Sequence, residues 1–114
     1  MKTIFCDIDG TLLKHHYDEY HLHEPEVLPG VLDKINEWIN KGYFIVLTSA
    51  REVCYLDITK EQLAKCGIRY HGLLLGLPNY PRHVINDTKP YCDMYETAFA
   101  TTVDRDKGLE GLQI

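Results

Sequence analysis

The chain has 114 residues, of which 45% are hydrophobic and 25% are charged, and its formal net charge is −5. These values are ordinary for a globular domain, and they exclude a disordered tail or a collagen-like fibre. The length predicts one domain that spans residues 1–114. An acidic chain lacks the positive field that non-specific nucleic-acid binding needs, so we expect no nucleic-acid partner.

The sequence also indicates a compartment. No stretch approaches the roughly 18 consecutive apolar residues of a membrane-spanning helix, so we expect no membrane segment. One lysine followed by an acid at Asp7 does not match a secretory signal. The four cysteines are widely spaced and include no Cys-x-x-Cys pair, which argues against a disulfide framework. We therefore expect a cytoplasmic protein with reduced thiols.

The first half of the chain predicts two strands separated by a flap and a helix. Residues 2–7 are a short apolar run that ends in an acid, which is typical of a buried strand. Residues 13–28 are polar and aromatic without a clean period, and they predict a loop or small flap. Apolar residues in 29–42 recur on one helical face and end at a glycine, which predicts an amphipathic helix. Residues 43–47 are apolar and rich in strand formers, so we expect a second buried strand.

The second half continues this alternation. Residues 51–66 predict a second helix. Thr59-x-x-Gln62 resembles a capping box, which leaves two alternatives open, one continuous helix or a break near residue 58. Short apolar runs predict further strands at 73–75, 83–85 and 98–103. Strands that alternate with helices predict an α/β fold with a mainly parallel sheet.

Polar side chains follow three of the predicted strands. They are Asp7 and Asp9, Thr48 and Ser49, and Asn86 and Asp87. In parallel sheets, ligands bind outside the carboxyl ends of the strands. The sequence therefore predicts a functional site at that edge of the sheet.

The first strand end, Asp7-Ile8-Asp9-Gly10-Thr11-Leu12, resembles the signature of the haloacid dehalogenase-like (HAD) superfamily, most of whose members are magnesium-dependent phosphohydrolases. Carboxylates at i and i+2 point the same way where a strand ends, and a divalent cation relieves their repulsion. The resemblance implies that Asp7 is the nucleophile, that Asp9 is the general acid and base, and that Gly10 and Thr11 help to hold phosphate. It places Mg²⁺ on the Asp7 carboxylate and the Asp9 backbone carbonyl. The alternative is a polar turn after a strand.

The second strand end resembles the superfamily's second motif, a hydroxyl residue that binds phosphate. Alignment on Ala50-Arg51 selects Ser49 for this role, with Thr48 as the second choice, and Arg51 is expected to help bind phosphate. A helix N-cap is the alternative role for Ser49.

The sequence departs from the superfamily pattern at two places. Leu77 stands where a lysine would neutralise the phosphate, and Asn86 replaces the first of two acids that complete the metal shell. Asn86 still offers a carbonyl oxygen, so we expect Asn86 and Asp87 to be metal ligands. Lys89, or else Arg82, would restore the missing positive charge. The alternatives are a surface role for Lys89 and a turn-forming role for Asp87.

The resemblance implies a three-layer α/β/α Rossmannoid domain without a large cap, in which residues 13–28 are a flap in the cap position. An open site of this kind suits an extended phosphate ester or a sugar phosphate, and a neighbouring subunit can serve as its lid in a homo-oligomer. The histidines of 15–23 favour a solvated flap over a zinc or nickel site, because their spacing fits no tetrahedral pattern. The alternative function is a phosphate-ester or nucleotide-sugar binding module with weak or no catalysis, which Leu77 and Asn86 motivate.

Overall fold

A three-stranded parallel sheet forms the centre of the computed structural model, which describes residues 1–92 and 95–114. The strands are β1 (Thr3–Asp7), β2 (Phe44–Thr48) and β3 (Gly72–Leu74), in the order β1-β2-β3. Asp7 lies opposite Thr48, and Thr48 lies opposite Leu74, so the three carboxyl ends are adjacent. The predicted α/β fold with a parallel sheet is confirmed.

Helix α1 (Val31–Asn40) connects β1 to β2 and carries much of the core. Val31, Ile35 and Trp38 are buried, because residues four and seven positions apart fall on one helical face. They pack with the inward residues of β1 and β2 in one apolar cluster. The opposite face of the sheet leaves Phe5 and Phe44 about half exposed. The described elements thus build two of the three expected layers, namely the sheet and the helices on one face.

The second helix is shorter than the sequence predicts. A 3₁₀ turn covers Val53–Tyr55, and helix α2 runs from Leu56 to Lys65. The expected capping box at Thr59 and Gln62 is wrong, because both side chains are buried in the middle of α2. Their hydrogen bonds go to Arg51 instead of to the helix N-terminus.

The two later strands predicted from sequence are also wrong. Residues 83–85 and 98–103 have no regular secondary structure, and Ile85 is 95% exposed. A strand needs a neighbouring backbone to pair with, whereas this region bonds locally. The Asn86 Nδ2 group donates to the Thr97 carbonyl oxygen at 3.2 Å, and the Thr97 hydroxyl donates to the Asp87 carbonyl oxygen.

The C-terminal residues return to the body of the domain. Leu109 is buried, and its backbone N–H donates to the Pro29 carbonyl oxygen at 2.9 Å. Gly108 has φ 82°, and a Cβ at that position would overlap the Pro29 backbone. This contact fixes the last residues against the turn that begins α1.

Three cysteines of the described residues, Cys6, Cys54 and Cys66, are free thiols. Burial raises the pKa of Cys6 to about 12, which disfavours its reactive thiolate form.

No helix within the described residues is long and apolar enough to cross a membrane.

Candidate active site

Asp7 lies at the carboxyl end of β1, where its side chain is 37% exposed. The Thr11 hydroxyl donates to Asp7 Oδ2 at 3.2 Å. Partial burial raises the pKa of Asp7, and the positive charge of Arg82 works in the opposite direction. The carboxylate is therefore poorly solvated yet accessible, which is what an attacking group or a metal ligand needs.

A tight loop follows β1 and turns the chain back on itself. The Ile8 carbonyl oxygen accepts hydrogen bonds from the N–H groups of Thr11, Leu12 and Leu13 at 2.8–3.2 Å. Gly10 has φ 87°, a left-handed conformation that favours glycine. Its N–H donates to the Leu13 carbonyl oxygen at 2.7 Å, so this amide already has a partner within the loop.

Asp9 is held by a buried arginine. Arg51 Nε lies 2.7 Å from Asp9 Oδ2, and Arg51 Nη2 lies 2.8 Å from Asp9 Oδ1. Arg51 Nη1 donates to Thr59 Oγ1 at 3.1 Å and to Gln62 Oε1 at 2.7 Å. The arginine side chain is 2% exposed and that of Asp9 is 14% exposed. This differs from the expected phosphate-binding role of Arg51, because its donors are directed to protein acceptors.

The end of β2 places two buried hydroxyl residues beside Asp7. Thr48 is the register partner of Asp7, and Ser49 follows it. Ser49 Oγ accepts the Arg51 backbone N–H at 3.0 Å, while its carbonyl oxygen accepts the Leu77 N–H at 3.1 Å. The alternative N-cap role for Ser49 does not hold, since the next helical turn begins at Val53.

Arg82, rather than Lys89, is the cation that the structure places near Asp7. Arg82 Nη1 lies 3.7 Å from Asp7 Oδ1. Lys89 instead forms an ion pair with Asp87. Leu77, at the position of the missing lysine, supplies no charge. The geometry therefore favours Arg82 over Lys89, which is the reverse of the order expected in the sequence analysis.

Asn86 and Asp87 do not join the site in this structure. Asn86 bonds to Thr97, and Asp87 is 76% exposed in its pair with Lys89. Their predicted strand does not form, so nothing carries them to the edge of the sheet beside Asp7. Within residues 1–92 and 95–114, no three His, Cys, Asp or Glu side chains are arranged to hold a metal ion.

The residues fit a magnesium ion in part. Magnesium prefers oxygen ligands, and the Asp7 carboxylate offers them at the strand end. The Asp9 carboxylate is bonded to Arg51, but no described hydrogen bond uses the Asp9 backbone carbonyl oxygen. These two groups are the metal-binding positions that the motif predicts.

The flap histidines stack with rings or bond within the flap. His16 stacks on His23 with ring centres 4.1 Å apart, and His21 stacks on Tyr55 at 4.4 Å. His15 Nδ1 accepts the Tyr17 backbone N–H at 3.0 Å. This arrangement agrees with a flap and gives no support to a zinc or nickel site.

Sequence reasoning missed two residues that touch the Asp7–Gly10 loop. The Asp106 N–H donates to the Gly10 carbonyl oxygen at 2.8 Å, and Asp106 Oδ1 accepts the His15 N–H at 2.8 Å. The stem of Arg105 lies against Gly10. The cluster Asp104-Arg105-Asp106 is a local excess of charge, but no spacing in the sequence links it to Gly10 and His15, which lie 91 or more positions earlier.

The parallel sheet, with the Asp7-to-Leu12 motif at the end of β1, defines a HAD-like phosphatase-type domain. The chain belongs to the family described as PITM 1–3, LNS2 domain, whose sequence profile matches residues 4–91. Comparison with curated protein sequences gave no significant match.

Solved structures show the same fold. A structural-genomics target from Vibrio cholerae is 26% identical with a TM-score of 0.61, and the match covers 76% of this chain and 80% of that chain. A chain of the Pnkp1/Rnl/Hen1 complex is 29% identical with a TM-score of 0.57, over 72% of this chain and 30% of that chain. The D,D-heptose 1,7-bisphosphate phosphatase from B. bronchiseptica, complexed with magnesium and phosphate, is 20% identical with a TM-score of 0.52. That match covers 66% of this chain and 49% of the phosphatase, so it shows the fold alone.

Proposed function

We propose that the protein is a magnesium-dependent phosphohydrolase that cleaves phosphomonoesters through an aspartyl-phosphate on Asp7. The observation that carries this proposal is the position of Asp7. Its carboxylate lies at the end of β1, is only partly solvated, and has a hydroxyl donor and a cation beside it. A carboxylate in such a place can attack phosphorus.

The reaction has two steps, and Asp9 takes part in both. In the first, Asp9 takes up a proton from solvent, an Asp7 oxygen bonds to phosphorus, the ester P–O bond breaks, and Asp9 gives that proton to the leaving alkoxide. In the second, water attacks phosphorus, Asp9 takes a proton from that water, and the P–O bond to Asp7 breaks. Inorganic phosphate leaves, Asp9 returns its proton to solvent, and both groups are again carboxylates.

The phosphate oxygens need donors and positive charge. Thr48, Ser49 and Thr11 supply hydroxyl groups beside Asp7, and we assign the positive charge to Arg82 because it is close to the Asp7 carboxylate. Preorganised charge of this kind stabilises the transition state more than the ground state. Lys89 is left with a surface role.

Magnesium is the cofactor that the donor set favours. The Asp7 carboxylate and the Asp9 backbone carbonyl oxygen would hold the ion, which neutralises phosphate charge when it is bound. We infer that Asn86 and Asp87 would be ligands only if residues 83–87 moved to the sheet edge.

The proposed substrate class rests on the expectation, drawn from the resemblance, that no large cap covers the site. Only residues 13–28 occupy the cap position, so we propose an extended phosphate ester or a sugar phosphate in a cytoplasmic setting.

The second candidate is a phosphate-ester binding module with little or no turnover. The positions of Asn86 and Asp87 favour it, because Asn86 bonds to Thr97 and Asp87 pairs with Lys89, and the described residues form no cluster of three metal-ligating side chains. A module of this kind would bind inorganic phosphate or a phosphate ester without releasing product.

Hydrolysis of an aryl phosphate and of a phosphate-ester panel, with and without Mg²⁺, tests the proposal. We expect turnover that requires Mg²⁺ and is lost in Asp7→Asn, whereas Asp33→Asn on the exposed face of α1 remains active. Wild-type protein that binds inorganic phosphate in calorimetry yet hydrolyses no ester would establish the binding module instead. Full activity in carefully purified Asp7→Asn would contradict the aspartyl-phosphate.

A further inference from the structure

Arg51 joins the loop that carries Asp9 to helix α2. Its guanidinium makes a bidentate contact with Asp9, in which Nε and Nη2 donate to the two carboxylate oxygens. The remaining nitrogen, Nη1, donates to Thr59 and Gln62. A guanidinium has five N–H donors in a fixed plane. Because Nη1 donates to acceptors on α2, the orientation of the guanidinium plane depends on this helix as well as on Asp9.

Two of the residues around Arg51 also fasten the flap of residues 13–28. Gln62 Nε2 donates to the Tyr20 carbonyl oxygen at 2.9 Å. The Tyr20 ring lies over the guanidinium, with its centre 4.4 Å from Arg51 Cζ. Tyr20 Oη accepts the Glu52 backbone N–H at 3.1 Å, and Tyr20 is itself buried. The flap is thus attached to the domain through groups that touch Arg51 directly.

We propose that Tyr20 and Gln62 are positioning residues, which hold Arg51 and thereby orient the Asp9 carboxylate for proton transfer. The flap then acts through Arg51 on the rate of the reaction, in addition to any contact it makes with substrate. This inference rests on the proposed phosphohydrolase function.

The geometry explains why the effect would be large. Without Gln62, the guanidinium keeps Thr59 as its only acceptor on α2, so it can tilt about its bonds to Asp9. A displacement of about 1 Å at a reacting group can cost roughly 100-fold in rate. Loss of the Tyr20 ring removes the face that packs on the cation and opens that side to water.

The chain offers a matched control. Lys65 and Glu24 also join α2 to the flap, with Nζ and Oε2 2.5 Å apart, but both side chains are mainly exposed and neither bonds to Arg51. Lys65→Gln therefore weakens a flap contact without disturbing the contacts of Arg51. Exposed pairs of this kind contribute little to stability, because solvent screens their charges.

Steady-state kinetics on Gln62→Leu, Tyr20→Leu and Tyr20→Phe test the proposal. We expect kcat to fall about 10- to 100-fold in Gln62→Leu and Tyr20→Leu, with KM changed less than about twofold. Tyr20→Phe keeps the ring over the guanidinium, so it should retain most of the wild-type kcat. Lys65→Gln should match the wild type.

The Asp9→Asn background separates positioning from a general loss of structure. Residues that act as one unit are not additive, so Gln62→Leu should change the residual rate of Asp9→Asn less than about twofold. A second readout does not depend on turnover, namely hydrogen exchange of the Arg51 Nε–H by nitrogen-15 NMR. That exchange should be faster in Gln62→Leu than in the wild type and unchanged in Lys65→Gln.

Three results would overturn the inference. They are an unchanged kcat in Gln62→Leu and Tyr20→Leu, a rise in KM in place of the loss of kcat, and a full additional loss in the Asp9→Asn background. Failure of the proposed function looks different, since the wild type would then be inert on every ester, and this inference would fall with it.

Discussion

The pairing of Asp9 with Arg51 makes a large and specific prediction about stability. Replacement of Arg51 by Met leaves the Asp9 carboxylate without its partner, and replacement of Asp9 by Asn leaves the guanidinium facing an amide. Loss of one partner of a buried ion pair costs about 3–5 kcal/mol. The Asp9 side chain keeps 14% of its exposure, so we expect each single variant to lie near the lower end of that range.

The double variant should lose less unfolding free energy than the two single variants lose in sum. With both charges gone, no unpaired ion is buried, and the coupling between the two changes should be about 1–3 kcal/mol. A chain of 114 residues has an unfolding entropy of about 0.24 kcal/mol/K, so a loss of ~3 kcal/mol lowers the Tm by roughly 12 °C. The corresponding cycle on the exposed pair Lys65 and Glu24 should show much weaker coupling, because solvent screens both charges.

Urea unfolding followed by the fluorescence of Trp38, the only tryptophan and a buried residue, measures all four proteins. The m-value should stay constant, since the variants change no large surface. If the two single effects added to within about 0.5 kcal/mol, the buried fork between Asp9 and Arg51 would not exist in solution.

Three further predictions follow from individual contacts. In an aryl phosphate assay, Arg82→Gln should lower turnover about 10- to 1000-fold, while the turnover of Lys89→Gln stays close to that of the wild type. The opposite result would show that Lys89, and not Arg82, supplies the positive charge for the phosphate. The raised pKa of Asp7 means that the folded state holds this proton more tightly, so stability is lost as pH rises through the folded pKa. In urea unfolding without metal, Asp7→Asn should therefore have a higher unfolding free energy than the wild type at neutral pH but not in acid. An equal difference in unfolding free energy between the two proteins at both pH values would contradict this reasoning. Leu109→Ala should cost about 2–5 kcal/mol in the same assay, whereas a change below ~1 kcal/mol would show that the C-terminal residues do not pack on the core.

The first two-thirds of the fold could be predicted because its signals are local and strong. Alternation of apolar strands with an amphipathic helix placed β1, α1 and β2 within one or two residues of their observed bounds. The Asp7-to-Leu12 motif needs a strand end and a tight loop, and neighbouring residues indicate both, since an apolar run precedes Asp7 and Gly10 follows it. The parallel sheet then brings Thr48 beside Asp7 without further information.

The later elements could not be predicted, because a short apolar run does not show what it will pair with. Val84 and Ile85 have the composition of a strand, but they lie outside the sheet. Thr59 and Gln62 match a capping box in sequence, yet both side chains accept hydrogen bonds from the buried guanidinium of Arg51. That partner lies eight or more positions away and becomes visible only when α2 packs against the loop after β2.

Acid-quench labelling measures the central claim most directly. The protein is mixed with an excess of phosphorus-32-labelled ester and Mg²⁺, stopped in acid within the first turnover, and digested to locate the label. An aspartyl-phosphate on Asp7 predicts a labelled peptide that contains Asp7, loses its label to hydroxylamine, and is absent from the Asp7→Asn variant. Rapid release of phosphate by the wild type with no label on that peptide at any quench time would contradict a covalent intermediate on Asp7.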